Sequence, residues 1–314
     1  MKIVVMEPLG VAEGTLRQQA EELLGKDAAL CLYDSPAKDA AELVERGADA
    51  DVIVIANHPF PREAVEGCKN LKMLCVAFTG VDHVALDACR EKGVVVSNCA
   101  GYSTEAVAEL VFGMALTLYR DIISADNAVR RSGTRAGLTA LELAGKKFGV
   151  IGTGAIGLRV AELAKAFGCR VYGCSRTVKP EAGIRYLSLR DLLSTCDVVS
   201  IHVPLTDETR GMIGKEQLSW MKPTAILINT ARGPIVNSTD LAEALKEGRL
   251  AGAAVDVFEK EPPLREDHPL LRCPNVVAAP HVGFATQEAL ERRSVIAFEN
   301  IAAWVRGCPQ NVVK

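Results

Sequence analysis

An arginine, a glutamate and a histidine lie far apart in the chain, and each follows a short apolar run that predicts a buried strand. They are Arg232 in INTARGPIVN, Glu261 in DVFEKEPP and His281 in AAPHVGFATQEA. Catalytic groups of parallel sheets collect beyond the carboxyl ends of the strands. We therefore treat these three side chains as one candidate catalytic set.

The three residue types match the needs of 2-keto acid reduction. The guanidinium of Arg232 can bind the substrate carboxylate and carbonyl through two parallel N–H groups. An imidazole titrates near neutral pH, so His281 can donate a proton to the developing alkoxide. A neighbouring carboxylate favours the protonated imidazole and fixes the ring, and Glu261 is the candidate for that place. A single histidine is more often structural, but the ordered set favours catalysis.

A glycine-rich turn precedes this set. Gly152, Gly154 and Gly157 have G-x-G-x-x-G spacing, follow the strand-like KFGVI and open an amphipathic stretch over 155–167. This context is typical of a dinucleotide-binding turn, in which the glycines allow a tight bend, a close pyrophosphate and close packing of helix on strand. The pyrophosphate is expected at the helix N-terminus, where N–H groups and the helix dipole favour an anion.

The segment CSRTVK contains an unusual ribose position. About 20 residues past such glycines an acidic residue commonly binds the ribose hydroxyls of NAD, but here that place holds Ser175, followed by Arg176 and Thr177. Arg176 can form a charge-assisted contact with a 2′-phosphate, and Lys179 adds nearby charge. The segment therefore favours NADP(H), with NAD(H) possible. The alternative is that Arg176 stacks on adenine or points to solvent.

Strand-like and helical segments alternate in two series. The first ends near residue 100, and the second begins at KFGVIG after a long amphipathic region over 103–133 that predicts one helix or two in tandem. The alternation predicts an α/β protein with two doubly wound parallel-sheet domains, the second a Rossmann dinucleotide-binding domain. A last helix is predicted over 285–307. A hinge at each crossover would leave a cleft suited to a small molecule.

Composition narrows the class of protein. The chain has 314 residues and a net charge of −3, which does not favour nucleic acid or a membrane surface as partner. Its ten cysteines show no C-x-x-C pair, so we expect reduced thiols, no metal site and a cytoplasmic location. The sequence predicts neither a signal peptide nor a membrane span.

The motifs GTGAIG, INTARGPIVN, DVFEKEP and PHVGFAT resemble those of the D-isomer-specific 2-hydroxy acid dehydrogenases, and the resemblance covers nearly the whole chain. It implies that residues 1–100 and 285–314 form a flavodoxin-like substrate-binding domain. The dinucleotide-binding domain, residues 101–284, is then inserted into it. The resemblance also suggests a homodimer formed through the helical region after residue 103.

The resemblance implies an NAD(P)-dependent oxidoreductase that transfers a hydride to C2 of a 2-keto acid. Arg232 would be the substrate-binding catalytic arginine, His281 the general acid and base, and Glu261 its partner. Ser175 in place of a frequent Asp makes the chain similar to glyoxylate/hydroxypyruvate reductases and strengthens the NADP(H) prediction. The identity of the 2-hydroxy acid and the physiological direction are left open.

The sequence leaves two alternatives to this function. A phosphoglycerate dehydrogenase without regulatory domain is less favoured, because the chain ends at Lys314 with no room for that domain. A non-catalytic dinucleotide-sensing scaffold, similar to corepressors of the family, is the other. The presence of all three catalytic residue types argues against it.

The remaining site positions come from the resemblance and from the strand ends. Backbone N–H groups around Thr79 and Gly80 are implied to hold the substrate carboxylate, since glycine allows close approach. Asn57 and Phe60 follow a strand and are candidates for the wall that sets substrate size, although Phe60 can equally belong to the core. The resemblance places Asp256 near the nicotinamide amide. The expected cofactor contacts are Thr104, Gly152, Gly154, Ala155, Ile156, Gly157, Ser175, Arg176, Thr177, His202, Pro204, Thr209, Thr230, Ala231, Asp256 and Gly283.

Overall fold

The computed structural model describes residues 1–260 and 263–313 of the chain. It separates into two compact units, of which unit 1 is Met1–Ser103 with Ala285–Lys314 and unit 2 is Thr104–Phe284. Unit 2 is contiguous in sequence, whereas unit 1 combines both ends of the chain. Each unit contains one parallel sheet with helices, so the predicted α/β fold class is confirmed.

Strands and helices alternate along both units, as the alternation of apolar and amphipathic segments predicts. The strands are β1 (Lys2–Val5), β2 (Ala29–Leu32), β3 (Val52–Ile55), β4 (Met73–Val76), β5 (Val95–Asn98), β6 (Lys147–Ile151), β7 (Arg170–Cys174), β8 (Arg185–Tyr186), β9 (Val198–Ile201), β10 (Ile226–Asn229), β11 (Gly252–Val255) and β12 (Val276–Ala278). The α-helices are α1 (Glu13–Leu24), α2 (Ala40–Gly47), α3 (Arg62–Gly67), α4 (Leu86–Lys92), α5 (Thr104–Tyr119), α6 (Ile122–Arg130), α7 (Ala155–Ala166), α8 (Leu189–Thr195), α9 (Lys215–Ser219), α10 (Ser238–Lys246) and α11 (Gln287–Val305).

The sheet of unit 1 has the strand order β2-β1-β3-β4-β5. Strands β3 (VIVI) and β4 (MLCV) are buried at every position, because a parallel sheet is covered by helices on both faces and its central strands are apolar throughout. Helix α11 returns from the far end of the chain and packs against α1, β4 and β5. The order reverses direction between β1 and β3, which is where ligands bind in open α/β sheets.

The free edge of β5 in unit 1 is covered by residues 310–313. Asn98 N–H donates to the Asn311 carbonyl at 3.1 Å, and Val313 N–H donates to the Val96 carbonyl at 2.8 Å. An exposed strand edge is a template for pairing with another chain. The segment that follows α11 therefore completes the hydrogen bonding of this edge.

The sheet of unit 2 has the order β12-β11-β10-β9-β6-β7-β8. On one face, Val111 of α5 and Val160 of α7 join Phe148 of β6 in a buried cluster. On the other face, Leu192 of α8 and Leu241 of α10 belong to a second cluster. Helices thus cover both faces, as expected of a doubly wound Rossmann sheet, and the order reverses between β6 and β9.

The amphipathic region after residue 103 forms two helices in tandem, α5 and α6. They are separated at Asp121, whose φ of 47° lies in the left-handed region that helices do not use. Helix α5 is largely buried, whereas α6 has no buried residue. The large apolar side chains Ile122, Ile123 and Val129 of α6 are exposed.

Across residues 1–260 and 263–313, no helix combines the length and the apolar character that crossing a bilayer requires. The same residues contain no group of three or more His, Cys, Asp or Glu side chains that could hold a metal ion. All ten cysteines are free thiols, and most of them are buried.

Candidate active site

The glycine turn lies at the point where the strand order of unit 2 reverses, between β6 and β9. We call the space beyond the carboxyl ends of these two strands the dinucleotide crevice. Gly152 has a φ of +93°, and a Cβ there would lie 2.6 Å from the His202 carbonyl oxygen. A Cβ on Gly157 would lie 1.9 Å from the Gly152 oxygen, whereas one on Gly154 would meet no heavy atom within 4 Å. Two glycines therefore serve packing, and the third leaves open space above the turn.

Helix α7 begins directly after this open space. Its N-cap residue is Gly154, which provides no side chain to bond the first N–H groups. The first N–H groups of an α-helix have no partner within the helix, and the helix dipole favours an anion beside them. The open space above the glycine turn, together with the N-terminus of α7, thus fits the pyrophosphate of a dinucleotide.

The segment after β7 forms one wall of the dinucleotide crevice. Ser175 is partly buried, and Arg176 and Thr177 are exposed. The Arg176 side chain is 83% exposed, and its Nη1 lies 3.4 Å from Glu208 Oε2. No packing contact holds the guanidinium inside the protein, so it is accessible to a bound ligand.

The loop after β9 forms the opposite wall. The Thr209 hydroxyl donates to the Pro204 carbonyl at 2.6 Å and accepts from Thr206 N–H at 2.8 Å. The His202 ring lies 2.8 Å from the Ser200 hydroxyl, and burial lowers the pKa of His202 to about 3, so the ring is neutral at physiological pH. The sequence predicted Thr209 as a cofactor contact, and in the structure its hydroxyl fixes the shape of this loop.

Asn229, at the end of β10, fixes the backbone on both sides of Arg232. Its Oδ1 accepts from Ala231 N–H at 3.1 Å, and its Nδ2 donates to the Arg232 carbonyl at 2.9 Å. The Thr230 hydroxyl between them is buried without a hydrogen-bond partner among the described residues. Gly233 follows, and a Cβ there would lie 1.9 Å from the Phe258 carbonyl carbon. The loop that carries Arg232 is therefore held against its neighbours.

Asp256, directly after β11, holds the loop that carries His281. Its side chain is 1% exposed, and its two carboxylate oxygens accept from Val282 N–H and Gly283 N–H, each at 2.8 Å. The Asp256 carbonyl also accepts from His281 N–H at 2.7 Å. Three consecutive backbone N–H groups of the loop are thus bonded to one residue.

His281 has a left-handed backbone conformation with a φ of 56°. Non-glycine residues rarely adopt this region, and they do so where the surroundings over-determine it. The hydrogen bonds from Asp256 supply that constraint. The His281 ring meets the ring of Phe284 edge to face, with centroids 5.5 Å apart and planes at 87°.

The structure brings Arg232, Asp256 and His281 to the same edge of the sheet of unit 2. They follow β10, β11 and β12, which are neighbours in the strand order. Because adjacent strands lie about 4.8 Å apart, the strand ends that carry Arg232 and His281 are separated by roughly 10 Å. Glu261, the expected partner of His281, lies outside the described residues.

Unit 1 has its own loops at the point where its strand order reverses. Glu7, just after β1, accepts from Ala56 N–H at 2.8 Å and from His58 N–H at 3.0 Å through Oε1. This carboxylate fixes the loop after β3 and leaves Asn57 exposed. Phe60 is different, because its side chain is 0% exposed. This burial favours the core over a substrate contact for Phe60, the two alternatives that the sequence left open.

The loop after β4 contains Thr79 and Gly80. Thr79 is exposed, and its carbonyl accepts from Asn98 Nδ2 at 2.7 Å. Neither backbone N–H of this pair has an acceptor among the residues that the structure describes. Two donors are thus available in this loop.

Comparison with known proteins identifies the family. Residues 112–283 match the model of the D-isomer specific 2-hydroxyacid dehydrogenase, NAD binding domain. The glyoxylate reductase of Aeropyrum pernix is 39% identical over 94% of this chain and 92% of its own. The chain belongs to the D-isomer specific 2-hydroxyacid dehydrogenase family. The predicted resemblance is confirmed.

Further relatives cover the whole chain. The hydroxypyruvate reductase of Blautia hydrogenotrophica is 33% identical over 100% of this chain and 99% of its own. A solved acyclic imino acid reductase in complex with NADPH and D-Arg covers 100% of both chains, with 29% identity and a TM-score of 0.91. These findings support the main functional prediction over the scaffold and phosphoglycerate dehydrogenase alternatives.

As a 2-hydroxyacid dehydrogenase, the protein is an oxidoreductase that acts on the CH–OH group of 2-hydroxy acids and uses a nicotinamide dinucleotide. The glycine turn at residues 152–157 fits that cofactor. Sequence reasoning missed Asn229, Glu7 and Thr206, which fix the loops rather than carry the chemistry. The sequence did contain a local signal for Asn229, because an Asn at the end of a strand often hydrogen-bonds the backbone two residues later in the following turn.

We expect Asp256→Asn to lower kcat of this dehydrogenase by about tenfold or more. An amide offers one acceptor oxygen and turns its NH2 group towards a backbone N–H, so one buried donor loses its partner at a cost of about 1–3 kcal/mol. The left-handed His281 loop would then lose its constraint. The measurement is kcat and KM for a 2-keto acid with saturating cofactor.

Asp240→Asn is the matched control, because Asp240, in the first turn of α10, accepts a single backbone N–H, from Lys215 at 2.9 Å, through one oxygen. An amide oxygen can keep that bond. If Asp256→Asn retains kcat within twofold of the unaltered enzyme, Asp256 does not position the loop.

Proposed function

We propose that this 2-hydroxyacid dehydrogenase reduces a small 2-keto acid of the glyoxylate or hydroxypyruvate type, with NADPH as its preferred cofactor. The names of the relatives support the substrate class. The observation that carries the chemistry is the placement of Arg232 and His281 after strands β10 and β12, on loops held by Asn229 and Asp256.

Each residue has a defined role in the proposed reduction. The bound dihydronicotinamide supplies the hydride that goes to C2 of the keto acid. Arg232 binds the carboxylate and polarises the carbonyl through paired N–H groups. His281 donates a proton to the carbonyl oxygen and takes it back in the oxidation. Glu261 is proposed as the carboxylate partner of His281, which holds the orientation of the ring.

The substrate contacts proposed in unit 1 are the backbone N–H groups of Thr79 and Gly80, for the carboxylate, and the side chain of Asn57, for the C3 hydroxyl of a substrate such as hydroxypyruvate. The available donors of the first pair support this assignment. The exposed position of Asn57, on a loop fixed by Glu7, supports the second. With Phe60 in the core, a polar wall favours a small or hydroxylated substituent over an aromatic one.

The remaining cofactor contacts in unit 2 are proposed along the crevice and the adjoining strand ends. Ala155 and Ile156 would present N–H groups of α7 to the pyrophosphate. Asp256 would lie near the nicotinamide amide. The other proposed contacts are Thr104, the first residue of α5, together with His202, Pro204, Thr209, Thr230, Ala231 and Gly283.

NADPH is proposed as the preferred form because Ser175 leaves the ribose position without a carboxylate and Arg176 is accessible. The imino acid reductase relative was solved with NADPH. A guanidinium next to a 2′-phosphate forms charge-assisted hydrogen bonds that a 2′-hydroxyl cannot equal.

A homodimer formed through α6 is also proposed. The apolar side chains of this helix and the following segment are exposed: Ile122 by 49%, Ile123 by 53%, Val129 by 72% and Leu141 by 45%. Large apolar side chains that stay exposed along one segment are a feature of interfaces when they form a patch. A second copy of the chain is the proposed occupant, in line with the family resemblance. The free thiols support a reducing compartment, and we place the enzyme in the cytoplasm.

The roles of His281 and Arg232 are tested by His281→Asn and Arg232→Gln. Loss of the proton donor is expected to lower kcat by roughly 10²- to 10⁴-fold. Loss of the guanidinium is expected to raise KM for the keto acid as well as lower kcat, because it binds substrate in the ground state too. Steady-state kinetics with glyoxylate and hydroxypyruvate provide the measurement.

Both variants should still bind NADPH, which quenching of protein fluorescence reports. The matched control is Arg272→Gln, an exposed arginine, which should behave as the unaltered enzyme. Normal turnover in both His281→Asn and Arg232→Gln would refute the assignment.

Cofactor preference is tested with Arg176→Gln. We expect the unaltered enzyme to have a higher kcat/KM with NADPH than with NADH. The substitution should lower kcat/KM for NADPH by about 10- to 100-fold, since a hydrogen bond to a charged group contributes about 1.5–3 kcal/mol. The NADH value should change by less than about twofold, because NADH lacks the phosphate. Better kinetics with NADH in the unaltered enzyme would contradict the proposal.

The dimer is tested with Ile123→Glu, measured by analytical ultracentrifugation at micromolar concentration. A buried, unpaired carboxylate in the interface should shift the protein from dimer to monomer. Val305→Glu is the control, because Val305 is 55% exposed at the end of α11 and should leave the dimer intact. An unaltered protein that sediments as a monomer would disprove the proposal.

A further inference from the structure

One ion pair connects the two walls of the dinucleotide crevice. Strand β6 lies between β7 and β9 in the sheet, so the loops after β7 and β9 rise on opposite sides of the glycine turn. The axes of β7 and β9 are separated by about 10 Å, two strand spacings. Arg176 Nη1 and Glu208 Oε2 are nevertheless only 3.4 Å apart. Their side chains therefore reach towards each other across the end of β6.

Glu208 is presented by a rigid loop. The Thr209 hydroxyl bonds the Pro204 carbonyl and the Thr206 N–H, and Arg210 N–H donates to the Thr206 carbonyl at 2.9 Å. Arg176, by contrast, extends into solvent from the end of β7. The backbone that carries the Glu208 carboxylate is thus fixed, and the Arg176 guanidinium is the member of the pair that can move to a ligand.

The ion pair between Arg176 and Glu208 is weak enough for a ligand to displace it. The two side chains are 83% and 76% exposed, and ion pairs between exposed side chains are weak and screened by salt. A ligand that carries a more highly charged anionic group can replace Glu208 as the partner of the Arg176 guanidinium. The carboxylate then remains close to that anion, with like charge.

We propose that Glu208 sets the cofactor specificity of this enzyme by competing with the 2′-phosphate of NADP(H) for Arg176. The inference rests on the proposed contact between Arg176 and that phosphate. Arg176 favours NADP(H) and Glu208 opposes it, so the preference for NADP(H) is smaller than the arginine alone would give. NADH carries no phosphate at the 2′ position and is indifferent to the pair.

The substitution Glu208→Gln tests this role, because it removes the charge, keeps the size and changes an exposed side chain that packing does not need. We expect the Kd for NADPH to fall and kcat/KM with NADPH to rise, each by about five- to tenfold at low ionic strength. That range follows from Coulomb interaction between a carboxylate and a phosphate of nearly two charges several ångströms apart in water. The gain should shrink at 0.5 M salt, while the NADH values change by less than about twofold.

The matched control is Glu247→Gln. Glu247 is also an exposed glutamate paired with an arginine of unit 2, with its Oε2 2.6 Å from Arg249 Nε. It follows α10 and precedes β11, so it lies at the opposite edge of the sheet from the crevice. Its substitution should leave the Kd for both cofactors unchanged.

The outcomes separate this inference from the proposed function. If Arg176→Gln weakens NADPH binding and Glu208→Gln leaves it unchanged or weaker, the competition is overturned while NADPH preference stands. If Glu208→Gln weakens NADH alone, Glu208 is instead the carboxylate that binds the ribose hydroxyls, which also overturns it. If Arg176→Gln has no effect on NADPH, the proposed cofactor contact itself fails.

Discussion

The bonds between Asp256 and the backbone of residues 281–283 are the constraint on which the geometry of the His281 loop depends. A parallel sheet delivers strand ends to one edge, but it does not orient the side chains that follow them. Here one buried carboxylate and its own carbonyl take three consecutive N–H groups, and the histidine among them is held in a left-handed conformation. A residue in that conformation directs its side chain differently from one in extended backbone. The direction of the imidazole is therefore set by Asp256, which follows β11, although His281 itself follows β12.

Asn229 performs the corresponding task one strand away. Its side-chain amide accepts from Ala231 N–H and donates to the Arg232 carbonyl, so the guanidinium of Arg232 starts from a fixed loop. Asp256 N–H in turn donates to the Asn229 carbonyl at 3.0 Å. The two supporting residues are thus linked through the sheet itself, and the loops of Arg232 and His281 share one rigid base.

The sequence predicted the parts that depend on local pattern. Apolar runs located the strands except the two-residue β8, glycine spacing located the turn at 152–157, and motif order placed Arg232 and His281 just past strand ends. It could not predict contacts between distant residues. Glu7 looks like any surface glutamate until the fold brings residues 56 and 58 to it, and Phe60 looked equally suited to a pocket and to the core. Glu208 carries no local signal either, because its partner Arg176 is 32 residues away and is reached only across β6.

The composition of unit 1 from two separate segments has a consequence for biosynthesis. Helix α11 packs on β4 and β5, and residues 310–313 complete the edge of β5, so this sheet stays unfinished until residue 313 has left the ribosome. Unit 2 is contiguous and needs no later residue, and domains generally fold as units during synthesis. The Rossmann sheet can therefore form first, and a folded unit 2 then replaces a long flexible segment in the loop that unit 1 must close, which lowers the entropic cost of that closure. Folding of the inserted unit thus favours completion of the sheet that the two ends of the chain build.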